Sequence, residues 1–181
     1  GRGRLRESPV VMVTGGLGGL GLLFADHLAK TKRAKLALVA RSELPPREDW
    51  DHWLRTYGHD DRTSARILKV RALEDAGSEV LVVPGDVTIE SEMAEAADAI
   101  KARFGAIHAV LHTAGVVDDA LIQVKTQADC EEVFTPKIHG TLVLDRVLAK
   151  EPLDLFVLFS STSSLTGNAG QVDYAAANAF L

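Results

Sequence analysis

The sequence predicts an α/β fold, a doubly wound parallel sheet of the Rossmann-like kind, and three observations carry the prediction. Short apolar runs recur at Val10–Val13, Leu36–Ala40, Val80–Val83, Ala109–Leu111 and Leu155–Phe159. Stretches with helical periodicity lie between them. The first run passes directly into a glycine-rich turn, Thr14-Gly15-Gly16-Leu17-Gly18-Gly19-Leu20-Gly21. Strand followed by helix, repeated, is satisfied by parallel strands with crossover helices on both faces, which leaves each strand apolar on both sides.

Taken in order, Val10–Val13 is the first strand. From Gly19 to Lys30, Leu20, Leu23, Phe24 and Leu28 recur at helical spacing and predict the first helix, and Leu36–Ala40 is the second strand. The stretch from Ser42 to Arg66 breaks the rhythm and is expected to be an insertion. Pro45-Pro46 marks a turn, Trp50, Trp53, Leu54 and Tyr57 predict a short helix, and His59-Asp60-Asp61-Arg62 is polar. A helix around Ser64–Ala76 follows, then strand Val80–Val83, the Ala-rich helix Met93–Phe104, and strands Ala109–Leu111 and Leu155–Phe159. A last helix begins near Tyr174, with Leu181 inside it. One domain over 1–181 is therefore expected, truncated at its C-terminus, since a six- or seven-stranded dinucleotide sheet needs further strands and lid helices.

With 46% hydrophobic residues in 181, the chain has enough apolar surface for one core. A formal net charge of -5 gives no basic footprint, which argues against nucleic acid and against an anionic membrane as partners. Cys130 is the only cysteine, excluding an intramolecular disulfide and a cysteine-based zinc site and fitting a reducing compartment. No apolar run approaches a membrane span, and Gly1 to Ser8 holds no apolar signal core. A soluble, cytoplasmic protein is expected.

The glycines at 15, 16, 18, 19 and 21 let backbone N–H groups approach a pyrophosphate and let the following helix pack closely on the strand. Both Gly16-x-Gly18-x-x-Gly21 and Thr14-Gly15-x-x-x-Gly19-x-Gly21 fit, so the glycines alone leave the register open; the bland reading is an ordinary tight connection. Ala40-Arg41-Ser42 ends the second strand, where an acidic residue would favour NAD. Arg41 can hold a 2′-phosphate bidentately and Ser42 can add a hydroxyl, pointing to NADPH, against a solvated arginine at a strand end. Asp86-Val87 follows the third strand, where it can line an adenine pocket or, with Thr88, belong to a helix N-cap. His112-Thr113-Ala114-Gly115 lies at the ligand-binding end of the fourth strand, with small residues that allow close approach to a nicotinamide ribose. His108 and His112 lack a third ligand, so strand packing, not metal binding, is expected; His27 and His139 read as helix-surface residues.

Ser161, Tyr174 and Asn178 have the spacing of a carbonyl-reduction site following a strand and on a helix. A serine hydroxyl can polarise a carbonyl oxygen while a tyrosine hydroxyl donates the proton. Tyr174 and Asn178, at i and i+4, share one helix face.

Together, Thr14–Gly21, Ala40-Arg41-Ser42, Asp86-Val87, His112–Gly115, Lys137, Phe159-Ser160-Ser161 and Tyr174-Ala-Ala-Ala-Asn178-Ala-Phe-Leu resemble the ketoreductase domain of modular polyketide synthases, a branch of the short-chain dehydrogenase/reductase superfamily. In most short-chain dehydrogenases a lysine follows the tyrosine by four residues. Here Asn178 holds that place and Lys137 sits on an earlier helix, which is the polyketide arrangement. The resemblance implies NADPH-dependent reduction of a β-ketoacyl thioester on an acyl carrier protein, with neighbouring synthase domains and a preceding non-catalytic structural subdomain. It assigns Lys137 to the ribose and to Tyr174, whose phenol is of a kind with pKa of about 10 and needs a nearby cation. Ser161 would hold the ketone and Asn178 would order a water or the lysine. Val117-Asp118-Asp119 is similar to the Leu-Asp-Asp fingerprint of B-type domains, which give the D-configured alcohol, and Thr166 stands where A-type domains have Trp. Val117 in place of Leu, and Ala176 where many B-type domains have Pro, depart from the pattern. The bland reading of Asp118 and Asp119 is a solvated loop or cap. A non-reducing or epimerising domain and a free-standing ketoacyl reductase are the alternative functions; intact Lys137, Ser161, Tyr174 and Asn178 argue against the first, and Asn178 in place of Lys with the Ser42–Arg66 insertion argues against the second.

Overall fold

A computed structural model describes residues 5–181; positions 1–4, which open the Gly1–Ser8 segment and the expected 1–181 domain, lie outside the described residues. Five parallel strands form one sheet in the order β3-β2-β1-β4-β5, where β1 is Val10–Thr14, β2 Lys35–Ala40, β3 Val80–Pro84, β4 Ala109–His112 and β5 Leu155–Leu158. Their pairings are all parallel. Strands are laid on one side of β1 up to β3 and then on the other side, so the crevice between the C-terminal ends of β1 and β4 is the switch point at which open α/β sheets bind ligands.

Helices cover both faces, and the alternation of side chains along each strand divides the core between them. Val10 and Met12 of β1, Ala37 and Val39 of β2 and Val110 of β4 face α4 (Glu90–Phe104) and α6 (Gly140–Leu148) through Met93, Ile100 and Leu144. Val11 and Val13, Leu36 and Leu38, and Ala109 and Leu111 face α1 (Gly19–Lys32) and α3 (Arg62–Asp75) through Ala25, Ala29, Ile67 and Val70. β1, β2 and β4 are buried on both sides as expected, whereas β3 and β5 are mostly half-buried. Among the described residues they are the two outer strands of the sheet, each paired on one side.

The predicted apolar stripe of α1 is only partly its buried face. Leu20 and Leu23 are exposed, and the residues against the sheet are Gly21, Ala25 and Ala29, small enough to bring the helix axis close to β1 and β2. The insertion folds as a 3-10 turn, Arg47–Asp49, and α2 (Trp50–Tyr57). Trp50 is buried and donates its indole N–H to the Pro45 carbonyl at 2.9 Å, which ties the helix to the proline turn. Asp61 caps α3 by accepting from the Ser64 N–H at 2.8 Å, so the helix starts at Arg62, two residues earlier than expected.

Candidate active site

The turn after β1 explains which glycines are steric requirements. Gly15 has φ +66, and a Cβ there would lie 2.8 Å from the Ala114 backbone nitrogen. A Cβ on Gly16 would lie 2.8 Å from the Cα of Leu38, and one on Gly21 2.7 Å from the Gly15 carbonyl oxygen, whereas Gly19 faces open space. The chain therefore needs glycine at 15, 16 and 21 to nest the turn between β2, β4 and α1. Gly18 is the N-cap of α1 and offers no side-chain acceptor, and no acidic residue stands in the first turn, so the helix N-terminus keeps its affinity for an anion.

A cavity of about 860 Å³ runs along this end of the sheet, lined by Thr14, Gly15, Leu17 and Gly18 at one part and by Gly85–Thr88 and Thr113–Val116 at others. Its volume lies in the usual range of ligand and cofactor clefts, roughly 300–1,000 Å³. Arg41 and Ser42 line it, and so do Arg62 and Arg66, one turn apart on α3, which the sequence reading passed over. None of these three arginines is ion-paired with a carboxylate among the described residues. Burial, and then the charge of Arg62, push the Arg66 guanidinium below its usual pKa, as expected for cations gathered without an anion.

Asp86 and Val87 both line the cavity. Asp86 accepts from the Thr88 N–H at 2.9 Å and the Thr88 hydroxyl at 2.7 Å, and its own N–H donates to Glu92 at 2.7 Å. The N-cap of α4 is Ile89, with no side-chain cap, so neither Asp86 nor Thr88 serves as that cap; the Asp86 carboxylate closes a local turn instead.

At the end of β4, Thr113 donates its hydroxyl to the Thr14 carbonyl at 2.7 Å, and Thr113, Ala114 and Gly115 line the cavity. His112 does not line it. Its ring is buried between Thr14 Oγ1, 2.7 Å from Nδ1, and the Pro136 carbonyl, 3.0 Å from Nε2, and burial lowers its pKa to about 4. The neutral tautomer with the proton on Nε2 satisfies both partners. His108 Nδ1 likewise accepts from the Val10 N–H at 3.0 Å, so both histidines are fasteners between strands and their surroundings.

Lys137 is reached through a widened helical turn. The helix α5 (Gln127–Phe134) passes into a π turn, Thr135–His139, and then into α6. Pro136 has no N–H to offer an α-helical ladder, and the wider turn accommodates it. The turn carries the Lys137 side chain inward, where Nζ donates to the Phe159 carbonyl at 2.8 Å and stands 5.8 Å from the centre of the Tyr174 ring. A Cβ on Gly115 would lie 3.4 Å from Lys137 Cε, so Gly115 is the place where the cavity wall meets the lysine. Burial lowers the pKa of Lys137.

The strand β5 ends beside this group. Ser161 Oγ accepts from the Ser163 N–H at 3.2 Å and from the Ser163 hydroxyl at 2.9 Å, at the start of α7 (Ser163–Thr166). With both lone pairs engaged, its own O–H is left to donate. Tyr174 and Asn178 lie on α8 (Val172–Phe180), which is held to β5 by the Ser160 hydroxyl donating to the Asn178 carbonyl at 2.8 Å. Asn178 is buried, donates its Nδ2 to the Tyr174 carbonyl at 2.7 Å, and has no hydrogen-bond partner for Oδ1 among the described residues.

Val117, Asp118 and Asp119 are all exposed and lie in a loop, as the bland reading has it, and both carboxylates also make contacts there. Asp118 pairs with Lys125, and both oxygens of Asp119 accept from Gln171 Nε2, at 3.0 and 3.1 Å. Among the described residues no three His, Cys, Asp or Glu side chains gather as for a metal, and no helix is long and apolar enough to cross a membrane.

A switch-point cavity at a glycine turn, whose wall meets Lys137 at Gly115, is the arrangement of a dinucleotide-binding doubly wound α/β fold. Residues 9–181 match the family model described as the KR domain, and the chain belongs to that family, the ketoreductase domains of modular polyketide synthases. It is 36% identical over 177 residues to 6-methylsalicylic acid synthase of Penicillium patulum, covering 97% of this chain and 10% of that protein. An N-terminal ketoreductase from the macrolactin assembly line superposes with TM-score 0.81 at 44% identity, covering 96% of this chain and 32% of that one. For a ketoreductase domain from the bacillaene assembly line the TM-score is 0.82 at 35% identity, with coverage of 98% and 39%. The chain thus spans about a tenth of that synthase and about a third of these solved chains.

Proposed function

We propose that this chain uses NADPH to reduce a β-ketoacyl thioester, carried on the phosphopantetheine of an acyl carrier protein, to the D-configured β-hydroxyacyl thioester. The observation that carries the reading is the approach of the buried Lys137 ammonium to the Tyr174 ring, beside the end of β5 that bears Ser161. Ser161, with its O–H left to donate, bonds the ketone oxygen and stabilises the charge that develops there. Tyr174 delivers the proton to that oxygen, and the Lys137 cation stabilises the phenolate left behind. Asn178 Oδ1, buried without a partner, is the acceptor that completes proton resupply toward Tyr174 and Lys137.

The cavity residues supply binding and orientation. The turn from Thr14 to Gly18 and the N-terminus of α1 take the pyrophosphate, Asp86 and Val87 line the adenine end, and Thr113–Gly115 flank the ribose nearest Lys137. Arg41, Ser42, Arg62 and Arg66 favour the 2′-phosphate and hence NADPH over NADH. When bound, the nicotinamide supplies the hydride. Val117, Asp118 and Asp119 border the substrate side and support the D configuration. The setting is a cytoplasmic polyketide synthase with neighbouring catalytic domains.

The test is NADPH oxidation with a β-ketoacyl N-acetylcysteamine thioester, using the full-length protein and its Tyr174→Phe variant, with chiral analysis of the alcohol. D-alcohol formation that is lost in the variant supports the reading. Tight NADPH binding without turnover by the parent protein would replace it with a scaffold or epimerising role.

A further inference from the structure

The segment 117–125 contacts the start of α8, the helix that carries Tyr174, and has little apolar anchorage of its own. Val117, Leu121, Ile122 and Val124 are 57% to 69% exposed. What holds it is polar. Lys125 points inward with its side chain 2% exposed, and Nζ lies 2.6 Å from Asp173 Oδ2, whose side chain is fully buried, and 3.2 Å from Asp118 Oδ2. The other Asp173 oxygen accepts the Tyr174 N–H at 2.8 Å, in the first turn of α8. Two further ties run in parallel: the Ala120 N–H donates to the Gly170 carbonyl at 3.0 Å, and Gln171 donates to Asp119.

The energetics of such a pair are one-sided. A buried carboxylate is tolerable only beside a cation, and removing one partner of a buried pair strands the other charge. Without Lys125 the buried Asp173 carboxylate loses the cation that faces it, and the acceptor of the Tyr174 N–H is no longer held in place. The same ammonium holds Asp118, so one group touches both the substrate-side loop and the residue that precedes the proton donor.

We infer that Lys125 is a positioning residue: through Asp173 and Asp118 it locks the 117–125 segment to the first turn of α8, so that the Asp118-Asp119 loop and Tyr174 keep one fixed relation and the configuration of the alcohol depends on the pair. The inference rests on the reduction proposed above for its stereochemical part, and on geometry alone for the lock.

The experiment compares the full-length protein with Lys125→Met, Lys125→Arg and Asp173→Asn, the last keeping size and an acceptor for the Tyr174 N–H in case Lys125→Met does not fold. Amide hydrogen exchange is read first, without substrate. Loss of protection by roughly tenfold in both 117–125 and 172–178, with the sheet unchanged, is expected for Lys125→Met and Asp173→Asn. Turnover then shows kcat lower by about tenfold to a hundredfold, NADPH affinity within about twofold, a smaller excess of one enantiomer, and partial recovery in Lys125→Arg. A folded Lys125→Met or Asp173→Asn protein with parental exchange in either segment overturns the lock whether or not the parent reduces a ketone. Lost protection with an unchanged enantiomer ratio overturns the stereochemical role. A parent that reduces no ketone counts against the proposed reduction instead, and the exchange result still decides the lock.

Discussion

The Lys137 ammonium stands 5.8 Å from the centre of the Tyr174 ring while one of its three N–H groups donates to the Phe159 carbonyl at 2.8 Å. The backbone of the β5 end thereby aims the cation, and the widened turn that carries it supplies the reach. Lys137→Met is expected to lower kcat by about a hundredfold or more, with a smaller loss of NADPH affinity, checked by single-turnover kinetics. Because burial lowers its pKa, Lys137 gives up its charge at lower pH than the 10.5 of an ordinary lysine. The alkaline fall in kcat should begin below that value and change position in the variant.

Arg41, just after β2, and Arg62 and Arg66 on α3 line the same cavity. Substituting Arg41 or Arg66 by Ala should weaken NADPH binding by roughly tenfold to a hundredfold and leave NADH binding nearly unchanged, since a charged hydrogen bond of about 1.5–3 kcal/mol is lost only to the 2′-phosphate. Fluorescence titration with both cofactors measures this. Equal losses for the two would move these arginines away from the 2′-phosphate.

His112 makes stability depend on pH in a defined window. Its folded-state pKa of about 4 lies below the ordinary 6.5, so the unfolded chain binds a proton that the fold refuses. The stabilisation is fully present above pH 6.5 and is lost as pH falls toward 4, amounting to roughly 3 kcal/mol at the acid end. His108, also lowered by burial, adds to the same slope, while Asp154, lowered to about 2 by Arg6, acts only at more acidic pH. Urea midpoints measured from pH 7 to pH 4 should fall less steeply in His112→Gln than in the parent protein.

The glycine turn separates into positions that need the missing side chain and one that does not. Gly15→Ala combines φ +66 with a Cβ 2.8 Å from backbone nitrogen and should cost about 1–3 kcal/mol or more. Gly19→Ala meets nothing within 4 Å and should leave the unfolding midpoint unchanged or slightly raised, by under about 1 kcal/mol. Equilibrium denaturation of the two variants side by side is the check.

The five strands are legible because burial imposes apolar runs of strand length, and all five appear in the order that a doubly wound sheet requires. The glycine turn and the Tyr174–Asn178 spacing are legible because each depends on neighbours within a few residues. What escapes is set by long-range contact. Arg62 and Arg66 lie in a stretch that reads only as an insertion, and nothing local brings them to Arg41, although two arginines at i and i+4 just after a polar turn are the available signal. Lys125 is an ordinary loop lysine until Asp173 is seen against it. His112 sits at the ligand-binding end of its strand, and only the Thr14 and Pro136 contacts show that its ring is spent on packing. The edge strands lose burial for a topological reason that an apolar run does not record.

The strand order also bears on how the molecule comes into being on the ribosome. Everything that lines the turn, the arginine cluster and the Thr113–Gly115 wall belongs to the portion from β1 to just past β4, whereas Ser161, Tyr174 and Asn178 arrive with the last strand and helix. A nascent chain therefore completes the glycine turn and its cavity wall before it contains Tyr174. On the proposed reading, a nucleotide bound at that stage would favour the folded part by mass action, and β4 would already offer β5 an edge on which to dock.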